Sequence, residues 1–116
     1  MALLLEKKNG LGLVTLTGSL DASVVASFSP QTAAWLESQP ELKQVVVDLG
    51  EVTFMDSAGL GALVGLLKRL AARGGDLRLA RPRPGVKLVL EITRANKIFA
   101  LFATLDEALA PAPAKP

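Results

Sequence analysis

A serine between an aspartate and a glycine-rich run is the residue in this sequence best placed to do chemistry. Ser57 follows Asp56 and precedes Ala58-Gly-Leu-Gly61, where an apolar β-branched segment gives way to a helical repeat of leucines. The start of a helix offers unpaired backbone N–H groups and a partial positive charge, which stabilise an anionic group. A phosphoryl group on Ser57 would add about −1.5 to −2 charge, which Asp56 and Asp21 would repel. Ser57 is therefore a candidate phosphorylation switch.

The same residues also fit a purely structural role. Ser and Asp are both common at the position before a helix, where the side chain accepts a hydrogen bond from a free backbone N–H group. Ser57 or Asp56 in that role would need no phosphate and no partner. Composition alone leaves the two interpretations open.

The face of this helix opposite the leucines is made of small residues. Each glycine inside a helix costs about 1 kcal/mol relative to alanine, so we expect a compensating role for the glycines on this face. Either a partner protein docks closely there, with Arg69 as a charged contact at the rim, or another helix of the same domain packs on it. Both explanations remain open. Advancing 100° per residue from the first position groups Ala58, Gly61, Ala62, Gly65, Arg69 and Ala72.

Charge is distributed unevenly along the chain. Residues 1–56 carry three basic and seven acidic side chains, whereas residues 57–97 carry nine basic and two acidic ones, a local balance of +7. Nucleic-acid binding through this basic segment is an alternative function, and affinity that falls steeply with salt would be its sign. With four Phe, one Trp and no recognisable binding motif, we expect no direct contact with nucleic acid.

Composition argues against an enzyme. The chain contains no His and no Cys, which removes the commonest general base and every thiolate metal site. Ser57 lacks the Gly-x-Ser-x-Gly context of a nucleophile elbow, and no phosphate-binding loop motif occurs. Asp21 and Asp56 would form an acid–base pair only with a substrate pocket between them. We expect no catalytic residue, no metal and no cofactor.

Hydropathy predicts a cytoplasmic protein without membrane insertion. No apolar run approaches the roughly 18 residues of a membrane-spanning helix. The first apolar residues reach Glu6 too soon for a secretory signal. We expect one domain over residues 1–110 and a disordered Pro/Ala tail over residues 111–116.

Strands alternate with helices, which predicts an α/β fold with a largely parallel sheet. Asn9-Gly10 predicts a hairpin turn, and the β-branched run Val45–Leu49 predicts a central strand covered on both faces. Ser29-Pro30 predicts a helix start, and Gln39-Pro40 its end. The predicted strands are 3–8, 11–17, 45–49, 76–80 and 98–102, and the predicted helices are 30–38, 57–73, 84–93 and a last turn to 109.

The segment Val45–Gly61, which reads VVVDLGEVTFMDSAGLG, resembles the signature of STAS domains and specifically of anti-sigma factor antagonists. The resemblance covers nearly the whole chain, through Gly18-Ser-Leu-Asp21, the strand entry at residues 74–79, and the closing segments 96–99 and 104–109. One departure is the stretch 22–29, where the family would begin its first helix earlier than predicted here.

The resemblance implies a STAS fold with a mixed, mostly parallel, four- to five-stranded sheet and helices largely on one face. It also implies that Ser57 accepts phosphate from an anti-sigma factor with serine kinase activity and that a protein phosphatase removes it. ATP then belongs to the partner. A STAS subunit of a cytoplasmic assembly, such as a lipid-transport ATPase, is the alternative, and its serine need not be phosphorylated. The implied partner-binding residues, with Arg69 added from the helix spacing, are Asp21, Asp56, Ala58, Gly59, Leu60, Gly61, Gly65 and Arg69.

Overall fold

The computed structural model describes residues 2–110, which form a five-stranded sheet and four α-helices. A short 3-10 turn, Ala95–Lys97, precedes the last strand. The predicted disordered tail lies outside the described residues. The elements are β1 Ala2–Lys8, β2 Leu11–Leu20, α1 Ala22–Glu37, β3 Gln44–Met55, α2 Ser57–Ala72, β4 Asp76–Ala80, α3 Pro84–Ile92, β5 Ala100–Phe102 and α4 Leu105–Leu109.

The chain opens with the predicted hairpin. β1 and β2 pair antiparallel, from Lys8 opposite Leu11 back to Ala2 opposite Thr17. Asn9 and Gly10 join them with φ angles of 56° and 80°. A two-residue hairpin turn of this kind needs positive φ at both positions, which asparagine and glycine tolerate.

The sheet order is β1-β2-β3-β4-β5, and every pair after the hairpin is parallel. β3 is central, and its residues 45–49 are all buried. Val45 and Val47 pack in the core formed with α1, α2 and α3, while Val46 belongs to a smaller cluster with α4. The alternation of strand side chains thus builds two apolar layers. The expectation of a mixed, mostly parallel sheet with helices largely on one face is confirmed.

The predicted start of the first helix is wrong. Helix α1 begins at Ala22, eight residues before the predicted position, and Pro30 lies inside it. Pro30 has no N–H to donate to the carbonyl four residues earlier, which normally breaks or kinks a helix. Two features outweigh that loss, namely the Asp21 cap at the start and the burial of Phe28 and Leu36 on one face. The stretch 22–29 therefore does not depart from the early helix start of the family.

The strand register brings the starts of α1 and α2 together. Leu20, the last residue of β2, lies opposite Met55, the last residue of β3. Both strands run in the same direction, so the residues that follow them emerge at the same edge of the sheet. Asp21 and Asp56, which are distant in sequence, thus stand side by side at the first turns of two helices.

Candidate functional site

Two aspartates cap the two helices at this edge. Asp21 Oδ1 accepts a hydrogen bond of 3.0 Å from the Ser23 N–H in the first turn of α1. Asp56 Oδ1 accepts one of 2.9 Å from the Gly59 N–H of α2, and its Oδ2 accepts one of 3.2 Å from the Ala22 N–H of α1. One carboxylate therefore binds the first turns of both helices.

These hydrogen bonds affect the ionisation of Asp56. The Gly59 N–H makes the largest contribution, and together with the Ala22 N–H it lowers the pKa of Asp56 below its ordinary value. Hydrogen bonds donated to a carboxylate favour its charged form. The site consequently carries negative charge beside Ser57 at neutral pH.

Ser57 is the first residue of α2 and is exposed. Asp56, and not Ser57, is the cap of the helix. Within residues 2–110, the Ser57 hydroxyl makes no side-chain hydrogen bond that meets the usual geometry. The capping role that the sequence left open between the two residues thus belongs to Asp56, and the Ser57 hydroxyl takes no part in the cap.

A groove of about 140 Å³ runs between the middle turns of α1 and α2. Arg73, just after α2, holds the far end of the helix pair by donating hydrogen bonds of 2.9 and 3.0 Å to the Gln39 and Leu42 carbonyls. Asp56 holds the near end, so the spacing of the two helices is fixed from both sides. The residues that line the groove are Ser29, Thr32, Gly61, Ala62, Gly65, Leu66 and Arg69.

The glycines of α2 differ in what surrounds them. A Cβ on Gly59 would lie 2.0 Å from the Leu20 carbonyl oxygen, so this glycine lets α2 approach the end of β2. A Cβ on Gly61 or Gly65 would have no heavy atom within 4 Å outside its own helix, among the described residues. Packing inside the domain explains Gly59, and it leaves Gly61 and Gly65 unexplained.

The structure supports the intramolecular explanation for part of the small-residue face, and docking on the rest stays a prediction. Helix α1 lies along it, and Ala62 packs against the core, as the intramolecular explanation requires. Gly61 is exposed and Gly65 half-buried, with open space over both, as docking requires.

The other predicted contact residues fall around the groove. Ala58 and Leu60 are half-buried in the first turn of α2, and Arg69 is exposed at the groove wall. Gly59 is buried, so it can influence a partner only by placing its neighbours. The sequence prediction misses Ser29 and Thr32, because it assigns Ser29 as a cap and begins α1 too late.

The structure also contains an ion pair that the sequence did not reveal. Asp48, buried on β3, accepts hydrogen bonds of 2.9 and 2.8 Å from Nε and Nη2 of Arg81, just after β4. This fork raises the pKa of Arg81. Asp48 also accepts a hydrogen bond of 2.9 Å from the Gly50 N–H. The partners lie 33 residues apart, and their proximity follows from β3 and β4 being neighbours in the sheet.

Within residues 2–110, no helix is both long enough and apolar enough to cross a membrane.

The fold is a mixed, mostly parallel sheet whose two longest helices, α1 and α2, begin side by side at one edge. The chain belongs to the STAS domain family, whose profile matches residues 2–108. The resemblance noted in the sequence is thus confirmed.

Relatives in this family are named for one regulatory role. An anti-sigma-B factor antagonist of Listeria monocytogenes is 33% identical over 88 residues, covering 71% of this chain and 77% of that protein. A Thermotoga neapolitana protein, named as a homolog in the same class, is 35% identical over 66 residues. That match covers 57% of this chain and spans only 58% of the relative.

Two solved structures with the same fold carry similar names. An anti-sigma factor antagonist from Mycobacterium paratuberculosis superposes with a TM-score of 0.83 at 26% identity, covering 93% of this chain and 90% of that one. The Bacillus cell fate determinant SpoIIAA in its phosphorylated form superposes with a TM-score of 0.72 at 25% identity, covering 93% and 96%.

Proposed function

We propose that this protein is an anti-sigma factor antagonist whose binding to its anti-sigma factor is switched by phosphorylation of Ser57. The observation that carries the proposal is the free, exposed Ser57 hydroxyl at the first position of α2, next to a helix cap that another residue supplies. Such a hydroxyl can accept a phosphate without first giving up a side-chain hydrogen bond of its own.

The charges around Ser57 explain how a phosphate would act. Unmodified Ser57 leaves a neutral position between the Asp56 carboxylate and the open face of α2. A phosphoryl group would add about −1.5 to −2 charge beside Asp56 and close to Asp21. Its oxygens would compete for N–H groups that Asp56 already occupies, so much of the added charge would remain at the surface and repel an acidic partner.

The face beyond Ser57 supports docking. Gly61 and Gly65 leave space over the helix backbone that nothing in residues 2–110 fills, so a partner can approach α2 closely. Arg69 stands at the groove wall as a charged contact. Unphosphorylated protein would bind through this surface and release the sigma factor from its inhibitor.

The partners follow from this cycle. The anti-sigma factor supplies the serine kinase activity and binds the ATP, and a protein phosphatase returns Ser57 to its free form. The names of the relatives support the anti-sigma factor as a partner, and the solved phosphorylated form of SpoIIAA supports a phosphorylation step. We propose a cytoplasmic location and a role as a binding regulator with no catalytic activity of its own.

The test compares wild type with Ser57→Ala and Ser57→Asp by intact mass and by pull-down from the native host. Wild type should carry a phosphate that Ser57→Ala lacks. Ser57→Asp should lose the kinase partner about tenfold or more in affinity, because like charges across an interface are costly. Ser23→Ala is the matched control, since Ser23 is exposed at the same edge but bonded to Asp21.

Two outcomes would contradict the proposal. One is a wild-type protein with no phosphate in cells where the kinase is active. The other is recovery of the same membrane-associated assembly by all variants, which would favour the STAS-subunit alternative.

A further inference from the structure

A second cleft lies at the carboxyl ends of β4 and β5, on residues that the partner-binding surface does not use. Its volume is about 390 Å³, which falls at the small end of the range for ligand sites, roughly 300–1,000 Å³. In α/β sheets, ligands bind beyond the carboxyl ends of parallel strands. The cleft is lined by Arg81, Pro82, Lys87, Leu101, Phe102 and Ala103, none of which lines the α1–α2 groove.

The polar side chains of this cleft are cationic. Arg81 and Lys87 are its two charged lining residues, and no acidic side chain lines it. The Asp48 carboxylate neutralises much of the Arg81 charge, so Lys87 supplies the net positive charge of the cleft. Lys87 is exposed on α3 and makes no ion pair within residues 2–110, which leaves its ammonium available.

Arg81 is held in one orientation. Asp48 binds its Nε and Nη2, and Nη1 makes no hydrogen bond to another described residue. The φ angle of Arg81 is 55°. Its backbone N–H donates a hydrogen bond of 2.9 Å to the Phe102 carbonyl. The left-handed backbone costs a non-glycine residue roughly 1–2 kcal/mol. This turn places the Arg81 guanidinium over Gly50. A Cβ added to Gly50 would lie 2.5 Å from Arg81 Cζ.

The remaining walls are apolar, and the largest is aromatic. The Phe102 ring has the Arg78 guanidinium carbon 5.8 Å from its centroid. Arg78 is buried and donates hydrogen bonds of 2.8 Å to the Ala108 and Ala110 carbonyls. A guanidinium over an aromatic face attracts the ring, so Phe102 is fixed as well. Preorganised walls lower the entropy that a ligand must lose on binding.

We propose that this cleft binds a small organic anion that carries a phosphate or carboxylate on a planar apolar body. The anionic group binds Nη1 of Arg81 and the ammonium of Lys87. The apolar body lies against Phe102. This site is independent of the phosphorylation switch, because it shares no residue with Ser57 or the groove.

Phenyl phosphate is the probe, followed by amide chemical shifts of the full chain during titration. Amide resonances of the non-proline residues in 81–87 and of residues 101–103 should shift in a saturable manner. Benzoate should bind at the same place, and benzyl alcohol, which has the ring without the charge, should bind at least tenfold more weakly. The Lys87→Ala variant should lose affinity for phenyl phosphate by about tenfold, as expected when a hydrogen bond to a charged group is removed.

Two controls separate this site from general basic charge and from the proposed switch. Lys97→Ala removes an exposed cation of the same basic segment outside the cleft and should bind phenyl phosphate like wild type. Ser57→Asp should also bind it like wild type. Phe102→Leu should weaken the binding of phenyl phosphate and leave the weaker binding of inorganic phosphate unchanged. Thermal unfolding of the Phe102→Leu variant checks that it is folded.

Three results would overturn the proposal. Equal affinity of Lys87→Ala and wild type for phenyl phosphate would show that the Lys87 ammonium does not bind the anion. Equal affinity for benzyl alcohol and phenyl phosphate would leave only an apolar cleft. Shifts confined to the first turn of α2 would place the anion at that helix start and not here.

Discussion

Helix α2 carries glycines on two sides, and the same residue type serves different purposes there. On the sheet side, Gly59 lies against the Leu20 carbonyl, where a single added carbon has no room. On the outer side, Gly61 and Gly65 have open space where that carbon would stand. The fold requires Gly59, whereas Gly61 and Gly65 make the helix less stable than alanine would. Glycines that the fold does not need support the proposal that another molecule docks on this face.

The largest effect is expected from Gly59→Ala. Its Cβ would meet backbone, which cannot move aside as a flexible side chain can, so α2 must shift away from β2. We expect destabilisation of about 3 kcal/mol or more, as for severe overpacking. Urea unfolding measures it. A loss below about 1 kcal/mol, the ordinary size of a point-mutation effect, would mean that the close approach of α2 to Leu20 is not needed.

Gly61→Ala and Gly65→Ala should act in the opposite direction on stability. Each should stabilise the fold by up to about 1 kcal/mol, because alanine is the better helix former. Each should also weaken the anti-sigma factor complex, measured by calorimetry with the purified partner.

The matched control for these two variants is Gly85→Ala on α3, where a Cβ also meets nothing within 4 Å. It should leave partner affinity unchanged. If Gly61→Ala and Gly65→Ala bind the partner as well as Gly85→Ala does, the outer face of α2 is not the docking surface.

The smallest effect concerns pH. The pKa of Asp56 is lower in the folded protein than in the unfolded chain, because the Gly59 and Ala22 N–H groups bind its charged form. The stability it contributes is therefore fully present above the unfolded pKa, near about 4, and is lost as the pH falls through the folded value.

Asp56→Asn keeps a capping side chain without the ionisation. It should flatten the acid limb of the stability–pH curve slightly, as measured by urea unfolding between about pH 2 and 6. Superimposable curves for the Asp56→Asn variant and wild type would show that these hydrogen bonds do not distinguish the charged from the neutral carboxyl.

How much the sequence predicts depends on whether the signal is local. Helix α2 and strand β4 follow predicted bounds closely, because a leucine repeat, Gly74-Gly75 and a short apolar run specify them without tertiary help. The sequence predicts helix α1 too short, because Ser29-Pro30 is typical of a helix start. The actual start depends on Asp21 and on core burial of Phe28, which only the folded chain supplies.

The candidate site shows the same difference between local and long-range signals. Ser57, Asp56 and the small residues of α2 are consecutive or one helical turn apart, so the sequence could identify them. The α1 side of the groove and the Asp48–Arg81 pair join residues that are far apart in the chain. The sequence could not predict the left-handed backbone of Arg81, because arginine is not a residue type typical of that conformation.

The shared Asp56 cap has a consequence for local motion. Since one carboxylate binds the Ala22 and Gly59 N–H groups, neither first turn can fray without weakening the hold on the other. Amide hydrogen exchange at the starts of α1 and α2 should therefore report a single cooperative opening, even though the two segments belong to different helices. Phosphorylation of Ser57 in α2 should then speed amide hydrogen exchange at Ala22, although Ala22 belongs to α1, which carries no phosphate.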